Sequence, residues 1–86
     1  MQNEELVLLA ALRYALPRHT YICKTVSDYI IEKMKDLSTN CIIAMKLEIE
    51  DELKETEMWE CDKSTFRELL DKLKTEECSR VLNPII

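Results

Sequence analysis

The side chains best suited to chemistry lie in a short corner of the chain, residues 13–21. The corner holds two arginines, two tyrosines, a threonine and the single histidine: Arg13, Tyr14, Arg18, His19, Thr20 and Tyr21. An arginine presents a planar fork of N–H donors that matches phosphate or carboxylate, and a tyrosine ring can stack on a base. A helix that begins just after Arg18 would add free N–H groups, which favour an anion. These residues predict a ligand-binding site of mononucleotide size.

The same corner also has a purely structural interpretation. In that case Tyr14 and Tyr21 fill the core and Arg18 is solvated. His19 favours a surface or capping role over that of a general base, because no nucleophile is placed beside it. The sequence leaves the binding site and the structural corner open as alternatives.

Arg13 is the only charge in the apolar run 6–16. That run covers every face of a helix, which predicts burial on more than one side, at the centre of the domain or against a second subunit. A buried arginine must be paired or must face a ligand. Its candidate partners within the chain are Asp28 and Glu32, and the remaining alternative is a guanidinium that reaches water.

No residue pattern in the chain is typical of catalysis. There is no local serine–histidine–acid set and no His-Glu-x-x-His motif, and the absence of glycine excludes the glycine loops that bind nucleotides. The four cysteines form no Cys-x-x-Cys pair: Cys23, Cys41, Cys61 and Cys78. A zinc site built from distant cysteines and His19 lacks a local ligand pair, so free and mostly buried thiols are expected. We predict a non-enzymatic protein without metal or cofactor.

The net charge of −5 is unevenly placed, since all the excess acid follows residue 37. This balance disfavours nucleic acid as a partner. A small DNA-binding or packaging factor is therefore the weaker alternative, because an acidic third helix would be a poor recognition helix in a helix-turn-helix. An acidic face can instead contact a host protein. The residues of this second, protein-binding interpretation are Glu52, Glu55, Trp59, Ile85 and Ile86. The alternative is a solvated helix face with ion pairs at helical spacing.

Apolar spacing predicts an all-α bundle of about four helices in one domain, residues 1–86. Helices are expected over 4–16, 20–37, 38–57 and 63–78, the first stopped by Pro17. The inward stripes are Cys23, Val26, Ile30, Met34 and Leu37, then Ile42, Met45, Ile49 and Leu53, then Phe66, Leu69, Leu70 and Leu73. Alternation over 45–50 is also a strand signal, but no turn residue follows it, so helix is preferred.

The sequence also predicts the caps of the third and fourth helices and the position of the C-terminal tail. Ser38 or Thr39 caps the third helix, and Asp62 or Ser64 caps the fourth after a connection over 58–61. The tail 81–86 is too apolar for a free end and is expected to dock on its own domain or on a neighbour. A domain of 86 residues is marginal alone, so we expect a homo-oligomer joined through the first helix or this tail.

The sequence also predicts where the protein works. Its first residues lack the basic region of a signal peptide. The apolar run 6–16 is too short to span a bilayer and contains a charge. We therefore expect a soluble cytoplasmic protein that makes no membrane contact.

The stretch Ala11-Leu-Arg-Tyr-Ala-Leu-Pro-Arg-His-Thr-Tyr21 resembles the signature of a group of small proteins of tailed bacteriophages and prophages. The motif of that group reads A-L-R-Y-A-L-G-R-x-T-Y, and residues 61–73 resemble its second block loosely. Pro17 replaces the glycine of the motif, which forces a different exit from the first helix. The resemblance implies an accessory protein in the host bacterial cytoplasm that antagonises a host defence pathway by binding.

Overall fold

The computed structural model describes residues 2–18, 22–54 and 60–82. Four α-helices follow one another: α1 (Asn3–Ala15), α2 (Ile22–Lys33), α3 (Thr39–Leu53) and α4 (Glu60–Leu82), with a turn of 3-10 helix, Met34–Asp36, between α2 and α3. The described residues contain no strand, so 45–50 are helical as preferred. The prediction of an all-α bundle of about four helices is confirmed.

The apolar stripes meet in one core. Its fully buried large side chains come from all four helices: Leu12, Ile30, Ile42, Met45, Ile49, Phe66, Leu69 and Leu73. The stripes predicted for α2, α3 and α4 are confirmed, with Val26, Leu53 and Leu70 at their partly buried edges. At 23 residues, α4 is the longest helix and packs against both α2 and α3. At 1.5 Å per residue α4 is about 34 Å long, compared with 43 Å for the longest dimension of the molecule.

One face of α1 is buried and the opposite face is open to water. Leu9, Leu12 and Ala15 pack into the core against α2 and α3. Val7 is 69% exposed and Tyr14 is 55% exposed. The single chain therefore does not place α1 at its centre. Contact with a second subunit, the other alternative for an all-apolar helix, stays a prediction.

A buried carboxylate joins the start of α1 to the start of α3. Glu5 accepts hydrogen bonds from the backbone N–H of Gln2 (3.1 Å), from the backbone N–H of Ser38 and from the Ser38 hydroxyl (3.1 Å). Ser38 is also the N-cap of α3, since its hydroxyl oxygen accepts from the Cys41 N–H, as predicted. These hydrogen bonds hold the pKa of Glu5 below its ordinary value, the largest effect coming from the Ser38 backbone N–H.

Arg80 links the C-terminal end of α4 to the elements that precede and begin α3. Its guanidinium donates to the carbonyl of Met34 (3.2 Å) and to the hydroxyl of Thr39 (3.1 Å), and it pairs with Glu76 (2.9 Å). The 3-10 turn and the start of α3 are thereby tied to the same helix. Because one guanidinium donates to all three acceptors, it holds the 3-10 turn and the start of α3 against α4.

Several predicted boundaries are wrong. The α-helix predicted over 20–37 ends at Lys33, and the 3-10 turn still carries the buried side chain of Met34. The fourth helix begins at Glu60, before both predicted caps, because no turn residue interrupts its acidic start. It also continues through Val81, which is 72% exposed and so does not dock on its own domain.

The backbone of the described residues contains no positive φ angle. Leu16, which ends α1, has φ −51° and ψ −48°, an ordinary right-handed helical conformation. Pro17 then stops the helix because it has no backbone N–H. The described part of this corner, residues 13–18, therefore contains no left-handed backbone.

Candidate functional site

Arg18 folds back over the last turn of α1. Its guanidinium carbon lies 3.7 Å from the centre of the Tyr14 ring, and Nη1 donates to the carbonyl of Tyr14 at 2.7 Å. The backbone N–H of Arg18 donates to the carbonyl of Ala15 at 3.0 Å. Two carbonyls at the helix end are satisfied in this way, and the positive charge lies at the negative end of the helix dipole.

Cys23 joins the end of α1 to the start of α2. Its thiol lies 2.8 Å from the carbonyl oxygen of Arg18 and 3.2 Å from that of Ala15, and its single S–H is shared between these two acceptors. The side chain of Cys23 is buried. The backbone of Arg18 is therefore held from inside the molecule, while its guanidinium lies on the surface.

Arg13 points away from this corner. It is 56% exposed and its Nε lies 2.8 Å from Oε1 of Glu48 on α3. The partners expected from the sequence, Asp28 and Glu32, are not used, since Asp28 pairs with Lys24 at 2.8 Å. A helix that is open on one side leaves Arg13 at its edge, where the nearest acid belongs to α3.

Of the six residues predicted to bind a ligand, the structure brings Tyr14 and Arg18 together and directs Arg13 elsewhere. His19, Thr20 and Tyr21 lie outside the described residues. Tyr14 does not fill the core, so that part of the structural interpretation is wrong. What remains is an exposed arginine–tyrosine pair at the end of α1. Within the described part of the chain, Nη1 is the only N–H group of this guanidinium that has an acceptor.

The acidic surface of α3 is less continuous than the sequence suggests. Glu48 is paired with Arg13, and Glu50 lies 3.7 Å from Lys74. A shallow depression of about 410 Å³ is lined by Leu47, Glu48, Glu50, Asp51 and Lys54. Glu52 is half-buried. The other predicted interface residues, Glu55, Trp59, Ile85 and Ile86, lie outside the described residues.

A second groove, missed by sequence reasoning, runs between α1 and the end of α2. It has a volume of about 600 Å³ and is mostly apolar, with Val7, Leu8, Ala11, Tyr29 and Leu37 among its lining residues. The ammonium group of Lys33 lies 5.8 Å from the centre of the Tyr29 ring at its rim. The position of Tyr29 off the buried stripe of α2 is the one signal of this groove in the sequence.

Three of the four thiols are described, and all three are free. Cys23 and Cys41 are buried, as predicted for most of the thiols, and Cys78 is exposed. Burial and the nearby charge of Glu5 raise the pKa of Cys41 and keep it protonated. No group of three or more possible metal ligands is found in the described ranges. No helix there is long and apolar enough to cross a bilayer.

No family model, curated protein or solved structure matches this chain. The resemblance of residues 11–21 to the phage signature therefore stays a prediction. Function has to be inferred from the surfaces described above, of which the arginine–tyrosine pair is the most specific chemically.

Proposed function

We propose that this chain is a non-enzymatic binding protein that recognises an anionic ligand, such as a nucleotide, at the pair formed by Arg18 and Tyr14. The observation that carries the proposal is the guanidinium stacked on an exposed tyrosine ring with one N–H group committed to the backbone. A planar cation in that position offers its outer face to a base and its free edge to a phosphate.

The guanidinium of Arg18 already contacts Tyr14 without a ligand. Arginine loses considerable rotamer freedom when it is immobilised, and this cost lowers the affinity of a flexible site. Here the Tyr14 ring and carbonyl already hold Arg18, and Cys23 holds its backbone from inside. His19, Thr20 and Tyr21 follow Arg18 directly in the sequence and are included in the proposed site on that ground. Arg13 contributes indirectly, by holding α1 against Glu48 of α3.

The phage resemblance supplies the context of the proposal. A small protein that sequesters an anionic signal would antagonise a host defence pathway without catalysing a reaction. Such a protein would act in the host bacterial cytoplasm. The context rests on the motif at 11–21, and the ligand class rests on the stacked pair, so the two parts can fail separately.

Calorimetric titration with a panel of nucleotides and with pyrophosphate tests the ligand class. Arg18→Gln should abolish binding, whereas Lys72→Gln, an equal loss of charge on the exposed surface of α4, should bind as the original protein does. Tyr14→Leu should weaken binding of a nucleotide more than binding of pyrophosphate, because it removes the ring that holds the guanidinium flat and only the base stacks on that guanidinium. Equal binding by Arg18→Gln and the original protein would make the corner structural.

A second candidate function is binding of a host protein through α3. Leu47 is 59% exposed among acidic neighbours, and such an apolar centre with a charged rim is typical of protein interfaces. Joint reversal of Glu52 and Glu55 to lysine should reduce capture of the host protein and change its salt dependence. Joint reversal of Glu68 and Asp71 to lysine, on the exposed surface of α4, is the matched control. Equal capture by all three proteins would exclude this surface.

A further inference from the structure

The outward face of α1 is an apolar surface that the single chain leaves in water. Val7 and Tyr14 are more than half exposed, and Leu6 and Ala10 are exposed beside them. Single surface leucines are ordinary, but here large apolar side chains follow one another along one helix. We propose that this face binds the same face of a second copy, so that the two α1 helices pair antiparallel about a two-fold axis.

The spacing of the exposed residues fits a helix pair. Asn3, Val7, Ala10 and Tyr14 recur at steps of four, three and four, the repeat of a two-stranded seam. Ala10 and Ala11 lie at its middle, and small residues there let two helix axes approach to about 8 Å. If the two-fold axis passes between residues 10 and 11, Val7 of each copy faces the partner's Tyr14. The surface is thus complementary to itself.

The charges of α1 select the antiparallel direction. Glu4 is exposed at the start of the helix, and Arg18 is exposed over Tyr14 at its end. An antiparallel pair places Glu4 beside the partner's Arg18 at both ends of the seam. A parallel pair would place like charges together, and the helix dipoles would also oppose it.

The groove between α1 and α2 adds a place for the partner's side chains. Val7 lies at the rim of this groove, whose walls include Leu8, Ala11 and Tyr29. In the proposed pair the partner's Tyr14 lies against Val7 and therefore at the mouth of the groove. A second copy would thus cover apolar surface on both α1 and α2, which a small, marginally stable domain needs.

Cysteine cross-linking tests the geometry of the pair. Ala10→Cys and Asn3→Cys are each made in a Cys78→Ser background, which removes the one thiol that is exposed among the three described cysteines. In the antiparallel pair the two residues at position 10 adjoin the axis, whereas the two residues at position 3 are about 22 Å apart along the seam. A disulfide needs Cα atoms within about 7 Å. Ala10→Cys should therefore give a linked dimer and Asn3→Cys should not, with Cys78→Ser alone as the background.

Sedimentation velocity from micromolar to millimolar concentration tests the association itself. Ala10→Glu should abolish it without loss of helical circular dichroism, because Ala10 is exposed, and Ser79→Glu on α4 should have no effect. Glu4→Arg or Arg18→Glu alone should weaken association about tenfold, and the double variant should restore it to within about threefold. A protein that stays monomeric, a linked dimer from Asn3→Cys, or a double variant that fails to recover would each overturn the proposal. The seam uses Arg18 and Tyr14, which also form the proposed anion site, so a bound anion should weaken association. Ala10→Glu leaves the Arg18–Tyr14 pair intact, so anion binding can be measured on the monomer.

Discussion

The two ends of α1 are held by different contacts, a buried carboxylate at the start and an exposed guanidinium at the end. At its start, the buried carboxylate of Glu5 accepts hydrogen bonds from Gln2 and Ser38 and ties the helix to α3. At its end, the exposed guanidinium of Arg18 lies over the Tyr14 ring and donates to the last turn of its own helix. One group is buried and satisfied on both oxygens, and the other keeps donors and a flat surface facing water.

The start of α1 therefore contributes mainly to folding stability, and its end is the part available to bind a ligand. A buried charged group is retained only where its hydrogen bonds are complete, so Glu5 has little capacity left for a ligand. An exposed cation contributes little to folding, because water and salt screen it. We therefore expect a substitution in α1 to lower folding stability strongly on the buried face or at Glu5, and only slightly on the exposed face or at Arg18. The following changes, from the largest expected effect to the smallest, test that division.

Leu12→Ala should give the largest loss of stability. Leu12 is fully buried at the middle of α1, and removal of its side chain leaves a cavity between α2 and α3. The free energy of unfolding should fall by about 2–5 kcal/mol, measured by urea denaturation. Leu6→Ala, the same change on the exposed side of α1, should alter it by no more than about 0.5 kcal/mol. Equal losses would mean that the outward face is covered in solution even at the lowest protein concentration.

Glu5→Gln should lower the thermal stability measurably, although by less than Leu12→Ala does. The amide keeps the shape of the side chain, yet its NH₂ group brings a donor to a place where Gln2 and Ser38 already donate. Glu4→Gln, the exposed neighbour, is the matched control. Thermal denaturation near neutral pH should separate the two variants. Identical midpoints would show that the Glu5–Ser38 contact does not hold the start of α1.

Part of the loss of thermal stability at acid pH should come from protonation of Glu5. Its pKa is lowered in the folded state from an ordinary value near 4.5, chiefly by the Ser38 backbone N–H. A lowered pKa contributes stability that is present above the ordinary value and is lost as the pH falls through the folded-state pKa. The thermal midpoint should therefore fall as the solution is acidified below pH 4.5, and Glu5→Gln should show a shallower fall. Parallel profiles for the two proteins would place the acid sensitivity elsewhere.

Arg18→Gln should have the smallest effect on folding. Its guanidinium is exposed, so we expect the free energy of unfolding to change by no more than about 0.5 kcal/mol in urea. The same variant is expected to abolish anion binding, and that combination is what a recognition site at this end of α1 requires. A loss as large as that of Glu5→Gln would make both ends of the helix structural.

The regular structure of this chain could be predicted from the sequence because it depends on local spacing. Apolar residues at steps of three and four gave the inward faces of α2, α3 and α4, and Pro17 gave the end of α1 to within one residue. The cap at Ser38 follows from the same local chemistry. The start of α4 was missed because the acidic residues before it contain no helix breaker and are equally compatible with a helix.

The side-chain partners could not be predicted, because they join residues far apart in the chain. Arg13 pairs with Glu48, 35 positions away, and Glu5 meets Ser38, 33 positions away. Nothing in the spacing within α1 identifies either partner. Tyr14 was open to two interpretations, since an aromatic residue next to an apolar run fits a core as well as a surface. Only the packing angle of α1 decides that it faces water.

The described part of the corner after α1 contains no left-handed backbone, and this affects how the protein can vary. Where a turn depends on positive φ, only glycine and a few other residues are accepted, and the position is closed to most substitutions. Leu16 has an ordinary helical conformation, so the described part of this corner carries no such restriction. Its surface can therefore change one residue at a time, limited by side-chain contacts alone. A binding surface on such a backbone can follow a changing target over successive generations without a loss of fold on the way.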